Sequence, residues 1–207
     1  KRGSTGVPWT KTNPSVLPVP DIGLWRRWQV MTQTWEANKA AANKLTLVSQ
    51  IDYRLKLTHQ LPAAKTRLLY GASGRPTATI LCNSDALIDS SLFWIECRDE
   101  PEAHYLAAII NSDRLYHAVR PLMSKGQFGP RHLQKHLWRL NIAEYEPTNP
   151  VHQKLAALGA KSAKQAARIV DSLGADVAID KARKAVRKQF AGSKISAEIE
   201  KLVETMI

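Results

Sequence analysis

Residues 67–112 read RLLYGASGRPTATILCNSDALIDSSLFWIECRDEPEAHYLAAIINS, and the fold class turns on them. Arg67-Leu-Leu-Tyr70 leads into the turn-rich Gly71-Ala-Ser-Gly74, and Thr77-Ala-Thr-Ile-Leu-Cys82 returns as the partner of a hairpin with Arg75 at its tip. Leu92-Phe-Trp-Ile-Glu-Cys97 follows the polar connection 83–91 as a third strand. Asp99-Glu-Pro-Glu102 then has the form of a capping box, with Pro101 in the first helical turn, and predicts a helix to Ile110. Asn111-Ser112 interrupts that helix, Ser112 caps the next, and Pro121 ends it. Strands and helices mixed within one segment predict an α+β fold rather than a bundle.

Outward from this segment the patterning changes. Trp25, Trp28, Thr32 and Trp35 fall near one helical face between Leu24 and about Ala42, a stripe expected to be core rather than a stacking platform. Leu45 to Leu61 reads as helix or irregular structure bearing Tyr53, Arg54, Lys56 and His59. Residues 1–22, with Pro8, Pro14, Pro18 and Pro20, favour an extended arm that Trp9 would pin. At the other end, Glu144-Tyr-Glu-Pro-Thr-Asn-Pro150 is the clearest boundary. Beyond it helices are expected at about 151–173, 176–190 and 194–206, the last with an apolar stripe of Ile195, Ile199, Leu202, Val203 and Met206 that must pack on this domain or on another subunit. The expected organisation is an arm over 1–23, a small-sheet α+β domain over 24–150 and a helical appendage over 151–207.

The 207 residues carry a net charge of +12 without long like-charge runs, so the excess is spread over folded surface and points to an anionic partner. Nucleic acid is the first candidate and an anionic membrane surface the second. No apolar run approaches the roughly 20 residues that span a bilayer, and no signal peptide opens the sequence. Cys82 and Cys97, each in an apolar strand-like run, suit reduced thiols in a cytoplasmic protein better than a disulfide scaffold. The start at Lys1 and the linker-like Arg2-Gly-Ser-Thr-Gly-Val-Pro8 suggest a part of something larger.

The basic stretch Lys125-Gly-Gln-Phe-Gly-Pro-Arg-His-Leu-Gln-Lys-His-Leu-Trp-Arg139 carries the chemistry. Gly126 and Gly129 allow close approach to another backbone, Phe128 offers a stacking face, and Lys125, Arg131, His132, Lys135, His136 and Arg139 supply donors for which phosphate is the obvious acceptor. Leu133, Leu137 and Leu140, at i, i+4 and i+7, would turn one side of a short helix to the core, leaving the cations on its solvated side.

In this order the elements resemble the target recognition domain of bacterial restriction-modification DNA methyltransferases of the type I/IIG kind. In that family a helix ending in a hydrophobic-Leu-Asn-Ser turn precedes a Gly-x-x-Gly-x-Arg loop and a short basic helix; here these are Ala108-Ile109-Ile110-Asn111-Ser112 and Gly126 to Arg131. The phrases Leu47 to Gln60, Arg67 to Gly74, Leu92-Phe-Trp94 and Glu102 to Leu106 also stand in the family's order, so the similarity spans about residues 45–158. One departure is Asn141-Ile-Ala, where the family often has Pro-Ile-Pro. The resemblance implies a non-catalytic domain that grips double-stranded DNA beside the adenine-N6 methyltransferase catalytic domain of a parent chain or complex. The parent would use S-adenosylmethionine and serve restriction-modification or phage defence. It makes Arg131, Arg75 and Gln127 candidates for base edges, since Arg suits guanine and Gln adenine, and Lys125, Lys135, Arg139, Arg54 and Lys56 candidates for phosphate.

Catalytic signatures are missing from the sequence. Adenine-N6 methylation needs an Asn/Asp-Pro-Pro-aromatic loop, whereas Asn13-Pro14-Ser15 and Asn149-Pro150-Val151 are single-proline turns; no glycine-rich S-adenosylmethionine loop or P-loop occurs either. Asp21, Glu36 and Lys39 lack the spacing of a metal nuclease, and His132 and His136, at i, i+4, lack a third ligand. A different class of reading is a helical protein-interaction module that docks a subunit of a defence complex through the Ile195 to Met206 stripe.

Overall fold

A computed structural model of the chain describes residues 22–72, 74–89, 91–126 and 129–207. The expected arm and Trp9 lie outside the described residues, as do Gln127 and Phe128. The chain divides into two compact units, 1–62 and 63–207, and the fold is α+β.

In the first unit α1 (Ile22–Asn38) packs on α2 (Leu47–Ile51), which starts where the Thr46 hydroxyl accepts from the Ser49 amide at 3.1 Å. The tryptophan stripe expected as core is half-buried instead: no residue of α1 is buried, and Trp25 and Trp28 line an open groove of ≈ 400 Å³ with Thr32, Leu47 and Val48. A helix of five residues is too short to cover a stripe that runs over three turns. Trp35 is fixed separately, its Nε1 donating to the Leu45 carbonyl at 3.1 Å. After α2, buried Asp52 organises tight turns by accepting from the Leu57 and Thr58 amides at 2.8 and 3.2 Å and from the Thr58 hydroxyl.

The second unit is built on β1 (Thr66–Gly71), β2 (Ala78–Cys82) and β3 (Leu92–Glu96), an antiparallel sheet in the order β2-β1-β3. The expected hairpin forms, with Leu68 opposite Ile80, and the third strand joins the far side of β1, with Leu68 opposite Ile95. β1 is therefore central, and its residues Thr66 to Tyr70 are all buried. Cys82 is paired with Thr66, and the Cys97 amide donates to the Thr66 carbonyl from the other side; both thiols are free. Burial, with Glu102 nearby, pushes the Cys97 thiol up to about 11.

Behind the sheet lies α3 (Glu100–Ile110), begun where Asp99 accepts from the Glu102 amide at 2.9 Å and Glu102 accepts from the Arg98 amide at 2.6 Å. Ala103, Tyr105, Ala107, Ala108, Ile109 and Ile110 are buried, as a helix covered on several sides requires. Next come α4 (Asp113–Val119), β4 (Ser124–Gly126), β5 (Gly129–Arg131), α5 (Leu133–His136), α6 (Pro150–Ser172), α7 (Ile179–Phe190) and α8 (Lys194–Glu204). Ser112, Asn149 and Ser193 cap α4, α6 and α8 with their side chains.

The composition change at 144–150 falls inside the second unit rather than between domains. α6 packs on α3 so closely that a Cβ at Gly159 would lie 2.2 Å from the His104 carbonyl oxygen. Leu155, Ala156 and Leu158 of α6 and Ile199 and Val203 of α8 belong to the same core as Leu68 and Tyr70 of β1. The α8 stripe is thus spent within the chain, Ile195, Leu202 and Met206 packing against that core. At about 1.5–3 kcal/mol for each fully buried aliphatic side chain, Leu155 and Val203 make the terminal helices part of the domain's stability. The Asn141-Ile-Ala segment runs over α3, where the Tyr105 hydroxyl donates to the Ala143 carbonyl at 2.9 Å and Ile142 packs on the core.

Candidate nucleic-acid interface

The Gly-x-x-Gly-x-Arg segment folds as a hairpin. β4 and β5 pair antiparallel with Ser124 opposite Arg131, Lys125 opposite Pro130 and Gly126 opposite Gly129, so the two glycines close the ladder at the tip. Pro130 has no amide hydrogen to give, which a two-stranded ribbon with open edges tolerates. The chain then turns sharply into α5 through His132, whose φ of 63° lies in the left-handed region. Buried Met123 before the hairpin and fully buried Leu133 and Leu137 after it fasten both ends to the core.

Two further bonds connect this segment to the sheet. The Leu133 amide donates to the Ala72 carbonyl in the β1–β2 connection at 3.1 Å, and Trp138 Nε1 donates to the Tyr70 hydroxyl at 3.0 Å. Tyr70 also stacks on Phe93 with ring centroids 5.9 Å apart and meets Trp138 edge-on at 6.0 Å. Burial pushes the Tyr70 phenol above its ordinary range, and the bond from Trp138 pulls it part of the way back. The hydroxyl therefore stays protonated at neutral pH, free to donate elsewhere while it accepts from the indole.

The β1–β2 connection is held from its other side by the helix turn after α3. The Asn111 side chain accepts from the Ala78 amide at 2.9 Å and donates to the Ala78 carbonyl at 3.0 Å, so one amide imitates a strand peptide at the start of β2. Gly74, at φ +77°, supplies the left-handed residue of the connection. Arg75 forms an ion pair with Asp113 at the start of α4, and its guanidinium lies 5.6 Å from the centre of the Tyr116 ring, to which Arg120 also comes within 5.9 Å. Glu200 of α8 accepts from the Asp113 and Arg114 amides at 2.7 and 2.9 Å, and Arg114 bridges Glu204 at 2.5 Å. The turn bearing Arg75 is thereby set on α4, and α4 on α8.

Of the residues singled out in the sequence, the second unit brings Arg75 and the Gly126 to Arg139 segment together through the Leu133–Ala72 bond. Lys125, Gly126 and Arg131 are placed by their strands, and His132, Lys135 and Arg139 are exposed. Arg75 is exposed as well, though its partner Asp113 must be exchanged for any new acceptor; an exposed pair of this kind is worth only about 0–1 kcal/mol. Arg54 and Lys56 are exposed in the first unit, Arg54 with φ 59° and its guanidinium 5.2 Å from the Tyr53 ring centre. His136 departs from the solvated placement expected for it. It follows Leu133 by three residues, so it shares the buried side of α5, and its Nδ1 is buried without a hydrogen-bond partner.

Tyr116 and Arg120 were not among the sequence candidates. Their i, i+4 spacing on a short helix was the available signal, and only the fold shows that Arg75 joins them. No group of three or more His, Cys, Asp or Glu able to hold a metal ion occurs among the described residues, and no described helix is long and apolar enough to cross a membrane. Comparison with family models, with curated proteins and with solved structures gives no match.

Proposed function

We propose that this chain is the target-reading portion of a restriction-modification or phage-defence adenine-N6 DNA methyltransferase, binding double-stranded DNA and leaving S-adenosylmethionine and methyl transfer to a catalytic domain in the same chain or complex. The observation that carries this reading is the fastening of the Lys125 to Arg131 hairpin to the Arg75 turn by the Leu133–Ala72 bond. Two sequence-separated segments, one carrying Arg131 at the base of the hairpin and one carrying Arg75 in the β1–β2 turn, are then fastened to one another, as base-edge readout demands. The charge of +12 and the exposed Lys135 and Arg139 favour a phosphate-rich ligand. The alternative of a subunit-docking module loses its main feature, because the α8 stripe is packed within the chain.

Single substitutions separate the two kinds of contact. Arg131→Ala is expected to cost about 1–3 kcal/mol on the preferred duplex and to relax preference at one base pair, whereas Arg139→Ala should weaken all duplexes alike and lower the salt slope by about 1. Fluorescence anisotropy on matched and scrambled duplexes reads both effects. Unchanged affinity and preference in Arg131→Ala would sink the placement of the recognition loop.

A further inference from the structure

A second cationic surface stands away from the hairpin in sequence, on α7. Its 12 residues contain Lys181, Arg183, Lys184, Arg187 and Lys188 against one acid, Asp180. At 100° per residue these cations occupy one side of the helix, while Ala182, Ala185, Val186 and Phe190 occupy the other and are half-buried. α7 packs on α6, so its apolar side has a partner within the chain. Its cations are less satisfied. Arg183 meets Asp180 at 3.8 Å, but among the described residues Lys181, Lys184, Arg187 and Lys188 have no ion-pair partner, and neither have Lys161, Lys164 and Arg168, which form a stripe at i, i+3 and i+7 on α6. In the same unit Arg75, Arg98, Arg114 and Lys154 are each matched to a carboxylate, while Lys135, Arg139, Lys194 and Lys201 are, like the α7 cations, in no ion pair among the described residues.

We infer that the exposed face of α7 is a phosphate-backbone contact surface for duplex DNA, a second grip that supplies affinity without reading sequence. The spacing fits a polyanionic rod. Lys181 to Lys188 span roughly 10 Å of helix at 1.5 Å per residue, and the same length of duplex carries about six phosphate charges. An anionic membrane fits less well, because an interfacial helix inserts its apolar face and that of α7 is engaged with α6. Lysine and arginine gathered on one face suit phosphate oxygens, and the one amide side chain of α7, Gln189, falls on the side of Ala182 and Ala185 rather than among the cations.

This inference rests on the duplex-binding reading, and the test separates their failures. The full chain with Lys181, Lys184, Arg187 and Lys188 all changed to Gln keeps good helix formers at exposed positions, and circular dichroism checks that helix content is retained. Titration across a salt series should show affinity reduced by tenfold or more on every duplex, with the preferred sequence unchanged and the log–log salt slope smaller by about 3–4, at about 0.9 per phosphate contact. Should the fourfold variant lose helix, Lys184→Gln with Lys188→Gln reads the same effect as a slope change of about 2. Wild-type affinity and slope in the variant would overturn the α7 surface while leaving the hairpin reading standing. Absence of duplex binding by the wild type at low salt would overturn both. Unchanged duplex binding together with loss of binding to phosphatidylserine vesicles would assign the face to a membrane instead.

Discussion

Single side chains show where local rules operate and where the surrounding fold overrides them. Asp99 and Ser112 each cap the helix that their sequence context announces, because a cap needs only its own next turn, and Asn149, read in the sequence only as a proline turn, caps α6 in the same way. Arg67 is the opposite case. Strand alternation alone gives no reason to bury it, yet it sits on the central strand with no exposure, Nη2 donating to the Ser84 carbonyl at 2.7 Å and Nε and Nη1 without partners. His104 is likewise decided by its surroundings. Desolvation at the α3–α6 contact lowers its pKa below the ordinary 6.5, with Lys164 acting in the same direction and Glu100 against it, and its Nδ1 is buried without a partner. A depressed folded value means that the unfolded chain binds the proton more readily, so this contribution to stability is present above about 6.5 and is lost as pH falls through the folded value. Denaturant titration at about pH 7.5 and about pH 5.5 should therefore show lower stability at the acid end, and His104→Gln should reduce the difference. An identical pH dependence in the variant would show that His104 is not its source.

At the scale of elements, what was legible was what neighbours in sequence determine. The β1–β2 hairpin, the long α3 and the three terminal helices follow from turn residues, caps and apolar period. The attachment of β3 to β1 was not legible, since both edges of a hairpin offer the same backbone groups and the core behind decides between them. The β4–β5 hairpin was hidden for another reason: strands of three residues are too short to display an alternating pattern. The union of α6 with α3 was concealed by a change of composition, although Gly159 in an otherwise helix-favouring run marks the close approach. Gly159→Ala tests that contact with opposing terms. Alanine gains about 1 kcal/mol in helix propensity, but its Cβ would lie 2.2 Å from a backbone oxygen that cannot swing aside. Overpacking of this kind costs about 1–3 kcal/mol and more where backbone must move, so a net loss is expected, seen as a Tm lower by roughly 2–8 °C for a chain of this size. A variant as stable as the wild type would show that the two helices stand further apart.

For the molecule as a whole, the candidate surface is a convergence that the sequence stated only in parts. Its charge and its glycine-flanked basic segment were visible from the start, whereas the bond from Leu133 to Ala72, the Asn111 clasp on β2 and the Arg75–Tyr116–Arg120 cluster needed the fold. On the proposed reading, affinity and specificity would reside in different places: cations on α7 and near α5 for phosphate, and the hairpin and Arg75 turn for base edges. The most direct measurement is selection of the chain on a randomised duplex library, with the winning duplex then titrated against a scrambled competitor at low and high salt. Enrichment of a short motif is expected, with an advantage over the scrambled duplex that survives added salt while total affinity falls steeply. Binding that is equally strong on every duplex, or no binding even at low salt, would contradict the proposed reading.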